Sequence, residues 1–134
     1  MSTVRTNIES TSPFADTAAM QAGMGIAFII VVGLLHLVEA PDNYGEAAYK
    51  GILFALNGAA AVAAAYGIYR HEAWGWWLGL LVSGGALIMY IISRTIGLPI
   101  IGIDDAWFEP IGLLSLLVEA GFVVMFGLYM RRRA

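Results

Sequence analysis

Residues 110–130 read PIGLLSLLVEAGFVVMFGLYM, and three arginines follow at positions 131–133. The run contains one charged side chain, Glu119, and at about 1.5 Å of helical rise per residue it can cross about 30 Å of hydrocarbon. Pro110 suits the first position of a helix, because its missing N–H needs no partner there. The stretch therefore predicts a transmembrane helix, and the arginines are typical of a cytoplasmic helix end.

Three more apolar runs precede this one, at residues 24–40, 47–69 and 74–96. They are continuously apolar, whereas the strands of membrane β-barrels are shorter and alternate between apolar and polar residues. The first run ends at Pro41-Asp42-Asn43, which is a turn sequence. We therefore predict an all-α polytopic membrane protein, a four-transmembrane-helix up-down bundle over residues 22–130.

Short polar segments flank the predicted bundle. Residues 1–21 form a polar N-terminal tail, in which Ser12-Pro13 can begin a short interfacial helix; the alternative is a disordered tail. Residues 131–134 form a basic C-terminal tail. Between the third and fourth spans, residues 97–109 form either a surface cap over the bundle or a plain connecting loop, and the sequence leaves both open.

The overall composition supports a membrane protein. Of the 134 residues, 60% are hydrophobic and 13% are charged, and the mean hydropathy is +0.77. Soluble domains are about half apolar and about a quarter charged, so a soluble fold of this composition would expose large apolar patches. The chain has no cysteine, which excludes disulfides, thiolate metal sites and cysteine nucleophiles. The net charge of −3 does not favour nucleic acid, so the expected partner is the lipid bilayer.

The distribution of Lys and Arg predicts the orientation. The side that holds both termini carries Arg5, Arg70 and the basic tail, whereas the other side carries Lys50 and Arg94. Because cytoplasmic segments are enriched in Lys and Arg, we expect a multi-pass protein of the cell membrane with cytoplasmic N- and C-termini. The tail residues are interpreted as topology anchors rather than as a lipid-headgroup or partner site. They are Arg131, Arg132 and Arg133.

Polar side chains within the spans fall in the outer half of each helix. Ionisable groups are costly in hydrocarbon unless they have partners, so we expect these side chains to face one another in an outward-facing polar centre. Ser115 lies one helical turn before the carboxylate of the fourth span and shares its face. The six candidate ligand or proton-handling residues are His36, Glu39, Asn57, Tyr90, Arg94 and Glu119.

Two interpretations of the polar centre involve no cofactor. In the structural one, Glu119 pairs with Arg94 or His36, and the remaining polar side chains complete a network that fixes the helix register. In the other, the buried carboxylate beside a histidine relays protons or ions. The inner half offers only Ser83 to continue such a path, so one protomer resembles half a channel.

Two further interpretations involve a bound group, although no cofactor is predicted outright. A divalent metal could take nitrogen and oxygen ligands from His36, Glu39 and Glu119. Haem could bind only through a single axial His36, because the other histidine, His71, lies in the loop on the opposite side of the membrane.

Small residues indicate where helices approach one another. Gly75 and Gly79 have the spacing of a G-x-x-x-G motif, and residues 58–67 are rich in Gly and Ala. Such residues let helix backbones come close both within one bundle and between protomers. We favour packing within the protomer over dimerisation.

Several segments resemble small uncharacterised prokaryotic four-helix integral membrane proteins, of a kind found in halophilic archaea and some actinobacteria. They are HLVEAP at residues 36–41, GILF at 51–54, SRTIGLP at 93–99, and Glu119. The resemblance covers roughly residues 24–130; it implies a shared membrane fold and no known activity. Two hypotheses for function follow. The favoured one is a non-enzymatic bundle that packs with itself, as a homo-oligomer, or with a membrane partner; the alternative is a metal-, ligand- or proton-handling protein that uses the polar centre.

Overall fold

The structure, a computed structural model, describes residues 12–134. These residues form four helices: α1 (Pro13–Glu46), α2 (Ala48–Tyr69), α3 (Ala73–Thr95) and α4 (Pro110–Arg133). All four are long and apolar enough to cross a membrane, and within this range the only strand-like feature is an isolated bridge between Leu98 and Gly102. The predicted all-α bundle of four membrane-spanning helices is confirmed.

Helix α1 begins earlier than the predicted first span. The Ser12 hydroxyl caps it by accepting a hydrogen bond of 3.3 Å from the Ala15 N–H, and Pro13 occupies the first turn, as the sequence indicates. The predicted short interfacial helix is therefore the first part of α1 rather than a separate element. At about 1.5 Å per residue, its 34 residues extend roughly 51 Å, far more than about 30 Å of hydrocarbon. The rest of the predicted tail, residues 1–11, lies outside the described residues.

Helix α1 also continues past the turn predicted at residues 41–43, and that prediction is wrong. Pro41 lacks the N–H that would donate to the Leu37 carbonyl, so the helix loses one backbone hydrogen bond there. Two residues later, Asn43 Nδ2 donates to the Glu39 carbonyl at 2.8 Å. The helix ends at Glu46, and extended Ala47 alone joins α1 to α2. Gly51 permits this tight connection, because a Cβ there would overlap Tyr44.

The four helices form a ring in chain order, with α1 against α2 and α4, and α3 against α2 and α4. Both glycines of the G-x-x-x-G motif are used inside the bundle. Gly75 lies against the backbone of Gly67 on α2, and Gly79 lies against the ring of Phe122 on α4. These contacts agree with the preference for packing within the protomer.

The half of the bundle that contains the start of α1 and the end of α4 is filled by apolar and aromatic side chains. The Trp76 ring stacks on Tyr129 at a centroid distance of 4.6 Å and on Phe122 at 5.8 Å, and Gly25 of α1 makes room for the indole. At the same end, Phe14 of α1 and Arg132 of α4 line one surface pocket, so the start of α1 and the end of α4 are neighbours. We call this half the inner half. The other half, which contains the polar side chains of the predicted polar centre, is called the outer half.

Candidate functional site

His36 lies on α1 with its side chain almost fully buried. Its Nδ1 is 2.9 Å from the Val32 carbonyl oxygen, which can only accept, so Nδ1 carries a proton and donates. The ring also packs against Phe54 of α2 at a centroid distance of 5.1 Å. These two contacts fix the imidazole and leave Nε2 as its free polar atom.

Glu119 of α4 faces that free nitrogen. Its side chain is buried, with a relative exposure of 2% for the residue, and its Oε1 accepts a hydrogen bond of 2.7 Å from the Ser115 hydroxyl. The same Oε1 lies 3.8 Å from His36 Nε2. This separation is longer than a hydrogen bond but within ion-pair distance, and a small rotation of either side chain would close it. The predicted convergence of His36 with Glu119 is present.

Arg94 makes its contacts elsewhere. Its Nε and Nη2 both donate to the Ala106 carbonyl, at 3.3 and 3.1 Å, and Nη1 donates to Ser93 Oγ at 2.9 Å. Nη2 also lies 3.5 Å from the Asp104 carboxylate, and the guanidinium sits 3.6 Å from the centre of the Tyr90 ring. Arg94 is therefore held by its own helix end and by the segment that follows it.

Depth explains why Arg94 and Glu119 separate. Arg94 and Tyr90 lie beside Gly112 of α4, where a Cβ would be 3.8 Å from Arg94 Nη2. Glu119 is seven residues further along the same helix, which is about 10 Å deeper. Of the two partners predicted for Glu119, the structure brings His36 within 4 Å and does not bring Arg94 there.

The segment between α3 and α4 is an ordered cap. The Tyr90 hydroxyl donates to the Trp107 carbonyl and the Tyr49 hydroxyl donates to the Pro99 carbonyl, each at 2.6 Å. The Asp104 N–H donates to the Ser93 carbonyl at 2.9 Å. These bonds tie the segment to the outer ends of α2 and α3, and the cap interpretation fits them better than a plain loop.

Among the described residues, the side chains of Asn57 and Glu39 form no hydrogen bond or ion pair with His36 or Glu119. Asn57 Oδ1 is buried and has no hydrogen-bond partner among residues 12–134. Glu39 takes part in none of the ion pairs formed by these residues, and its backbone carbonyl rather than its carboxylate receives the Asn43 amide. Lys50, in the first turn of α2, pairs with Glu46 at the end of α1.

The proposed ligand set for a metal is only partly assembled. His36 and Glu119 are brought together, but within the described part of the chain no group of three His, Cys, Asp or Glu residues is placed to hold a metal ion. A metal or a haem therefore stays a prediction that no preformed site supports. His71 lines a surface pocket in the inner half, as expected from the topology.

Sequence reasoning missed the partners of Arg94. Asp104 and Ala106 follow Arg94 by ten and twelve residues, and the position of Arg94 in the last turn of α3, directly before this segment, is the signal that it could contact the segment. Comparison of the chain with protein-family models, with curated proteins and with solved structures finds no match. The geometry of the side chains is therefore the basis for any functional conclusion.

Proposed function

We propose that this protein is a non-enzymatic multi-pass protein of the cell membrane, with both termini cytoplasmic, whose His36–Glu119 pair binds and releases a proton inside the bundle. One observation carries the proposal. Glu119 is buried, and among residues 12–134 its carboxylate has only Ser115 and His36 within hydrogen-bond or ion-pair distance. Its only charge partner is a side chain that can itself gain or lose a proton.

The chemistry of such a pair differs from that of a carboxylate beside arginine. Arginine keeps its charge at all relevant pH values, so it holds its partner ionised. With His36 and Glu119, a proton can move between Nε2 and Oε1 while the pair remains neutral overall. Adding or removing one proton leaves a net charge in an apolar environment, which is costly without a rearrangement or a counter-ion. Protonation is therefore coupled to the conformation or to ion entry.

In the described residues, no titratable group other than His36 lies within ion-pair distance of Glu119; Glu39, one turn beyond His36 on α1, pairs with neither of them. From α2 the pair is faced by the Phe54 ring, and on α4 the neighbour is the Ser115 hydroxyl. Helix α3 has no titratable side chain between residues 73 and 89. In the inner half the stacked rings around Trp76 close the bundle. Proton exchange is therefore proposed to occur with the outer side.

Infrared difference spectroscopy of the purified full-length protein would test the proposal. We expect a carboxylic-acid C=O band that appears and disappears on pH titration in the wild type and is missing in Glu119→Gln. The matched control is Glu109→Gln, which changes an exposed carboxylate that caps nothing at the start of α4 and should keep the band. An unchanged titration in Glu119→Gln would contradict the proposal.

The proposed orientation rests on the count of basic residues near the span ends. The last turn of α4 carries Arg131, Arg132 and Arg133, whereas the outer ends of α2 and α3 carry Lys50 and Arg94. Lys and Arg are enriched on the cytoplasmic side, and neighbouring carboxylates contribute little to orientation. A reporter that fluoresces only in the cytoplasm, fused to Ala134, should give signal. A dark fusion, with an externally active reporter working at that position, would contradict the orientation.

We also propose that the protein associates in the membrane, with a second copy of itself as a homo-oligomer or with another membrane protein. The exposed face of α2 carries Ala55, Ala59 and Ala63 one turn apart. Small residues at this spacing allow close helix contact in lipid. Unlike Gly75 and Gly79, these alanines are not covered within the protomer.

A further inference from the structure

The inner half contains a pocket to which all four helices contribute. We call it the inner pocket. It lies between the first turns of α1, the end of α2, the start of α3 and the end of α4. The residues that define it here are Gln21, His71, Trp76, Tyr129, Arg132 and Arg133.

The chemistry of the inner pocket suits an anion. Two guanidinium groups, an imidazole and an amide line it, and none of its lining residues is acidic. In the part of the chain that the structure describes, no carboxylate lies within 4 Å of Arg132 or Arg133, so their donors are not used in an ion pair. Arginine presents several N–H donors in a planar fork that matches phosphate.

Stacked aromatic rings contact one of these arginines, Arg133. Tyr129 stacks face to face on Trp76, with 10° between the ring planes, and the guanidinium of Arg133 lies 5.0 Å from the centre of the Tyr129 ring. Cation–π contact of this kind holds a guanidinium in place without consuming its donors. The pocket therefore combines a preformed apolar surface with cationic donors at its edge.

His71 occupies a backbone position that favours glycine. After α2, the Glu72 N–H donates to the Gly67 carbonyl and the His71 N–H to the Ile68 carbonyl, both at 2.9 Å, which is the Schellman pattern. His71 takes the left-handed position of this motif, with φ of 59°. Its imidazole lines the inner pocket, at a backbone position that glycine would occupy with less strain.

We propose that the inner pocket binds the phosphate group of an anionic phospholipid headgroup at the cytoplasmic face of the membrane. The location supports a lipid rather than a soluble phosphate compound. Trp and Tyr rings and basic side chains gather at the headgroup level of the cytoplasmic leaflet. The extension of α1 beyond the span supplies Gln21 to the pocket wall, at the level where headgroups lie.

Lipid titration of the full-length protein in detergent, followed by native mass spectrometry, would test the proposal. We expect phosphatidylglycerol to be retained saturably, phosphatidylcholine to be retained at least tenfold more weakly, and inorganic phosphate not to compete at millimolar concentration. Equal retention of the two lipids would overturn the proposal. Full competition by inorganic phosphate would overturn the lipid assignment in favour of a free anion.

Neighbouring arginines provide a matched control. Arg132→Gln should lower the apparent affinity for phosphatidylglycerol at least fivefold, whereas Arg131→Gln, which removes the same charge outside the pocket, should change it less than twofold. His71→Gly should also weaken retention while keeping or raising the thermal stability, because glycine fits the left-handed position. Equal losses for Arg131→Gln and Arg132→Gln would mean that only the general charge of the tail attracts lipid.

This inference is independent of proton binding by the buried pair. Glu119→Gln should leave lipid retention unchanged, so failure of one proposal does not carry over to the other. The leaflet named in the proposal rests on the proposed orientation, whereas retention in detergent is measured without it, so a reversed orientation would move the site to the other face and leave lipid binding intact.

Discussion

Two ionic groups in the outer half of the bundle do opposite things. Arg94 and Asp104 form part of a network of fixed charge, in which the guanidinium also binds the Ala106 carbonyl and covers the Tyr90 ring. His36 and Glu119 form an isolated pair deeper in the membrane. A fixed charge with many partners locks a segment in place, whereas a buried pair with one other partner can change its protonation. Similar residue types therefore have different partners at different depths in the bundle.

The fixed network should give the largest loss of stability. Arg94→Met removes the donor to Ala106 and the cation beside Asp104, and charge-assisted hydrogen bonds are costly to break. Asp104 is partly exposed, so water can solvate its carboxylate once the guanidinium is removed. We therefore expect the decrease in the free energy of unfolding in detergent to be limited to about 2–3 kcal/mol. Lys50→Met is the control, because an exposed i, i+4 pair contributes only about 0.5 kcal/mol. Equal losses for the two variants would mean that Arg94 does not hold the cap.

The buried pair should give the next largest effect. Glu119→Leu leaves the Ser115 hydroxyl and His36 Nε2 without a partner in an apolar environment, which should lower the free energy of unfolding by about 1–2 kcal/mol. Glu109→Leu, at an exposed position, should change it by less than about 0.5 kcal/mol. Chemical denaturation in detergent would measure both. Full stability of Glu119→Leu would show that the carboxylate has no buried partner.

The fold could be predicted from the sequence because continuous apolar runs of this length admit one structure in lipid. The continuation of α1 through Pro41 could not, because Pro41-Asp42-Asn43 is typical of a turn and the helix continues despite the lost backbone donor. Convergence of His36 with Glu119 followed from helical rise alone. The separation of Arg94 from Glu119 follows from the same helical rise, because Arg94 is the second-to-last residue of α3 whereas Glu119 is well inside α4. The prediction that the two side chains meet overlooked this difference in depth.

Conservative replacement of Glu119 separates stability from protonation. Glu119→Gln keeps an acceptor for Ser115 and carries no charge, so the free energy of unfolding should change by less than about 1 kcal/mol. The amide cannot titrate, so proton release from the pair should be lost, as measured by the infrared band. A large loss of stability together with an unchanged infrared titration would contradict this prediction, because Glu119 would then stabilise the fold without being the group that titrates.

The smallest effect on stability is expected outside both ionic groups, on the exposed face of α2. Ala59 is exposed on α2, so the other helices of the protomer do not cover it. Ala59→Leu should therefore change the free energy of unfolding of the protomer by less than about 0.5 kcal/mol. If protomers associate through this face, the added bulk would separate the helix backbones and lower the dimer fraction measured by light scattering in detergent. Val124→Leu, at an exposed position on α4, is the control and should leave the dimer fraction unchanged. A wild-type protein that is monomeric at all concentrations would remove self-association through α2.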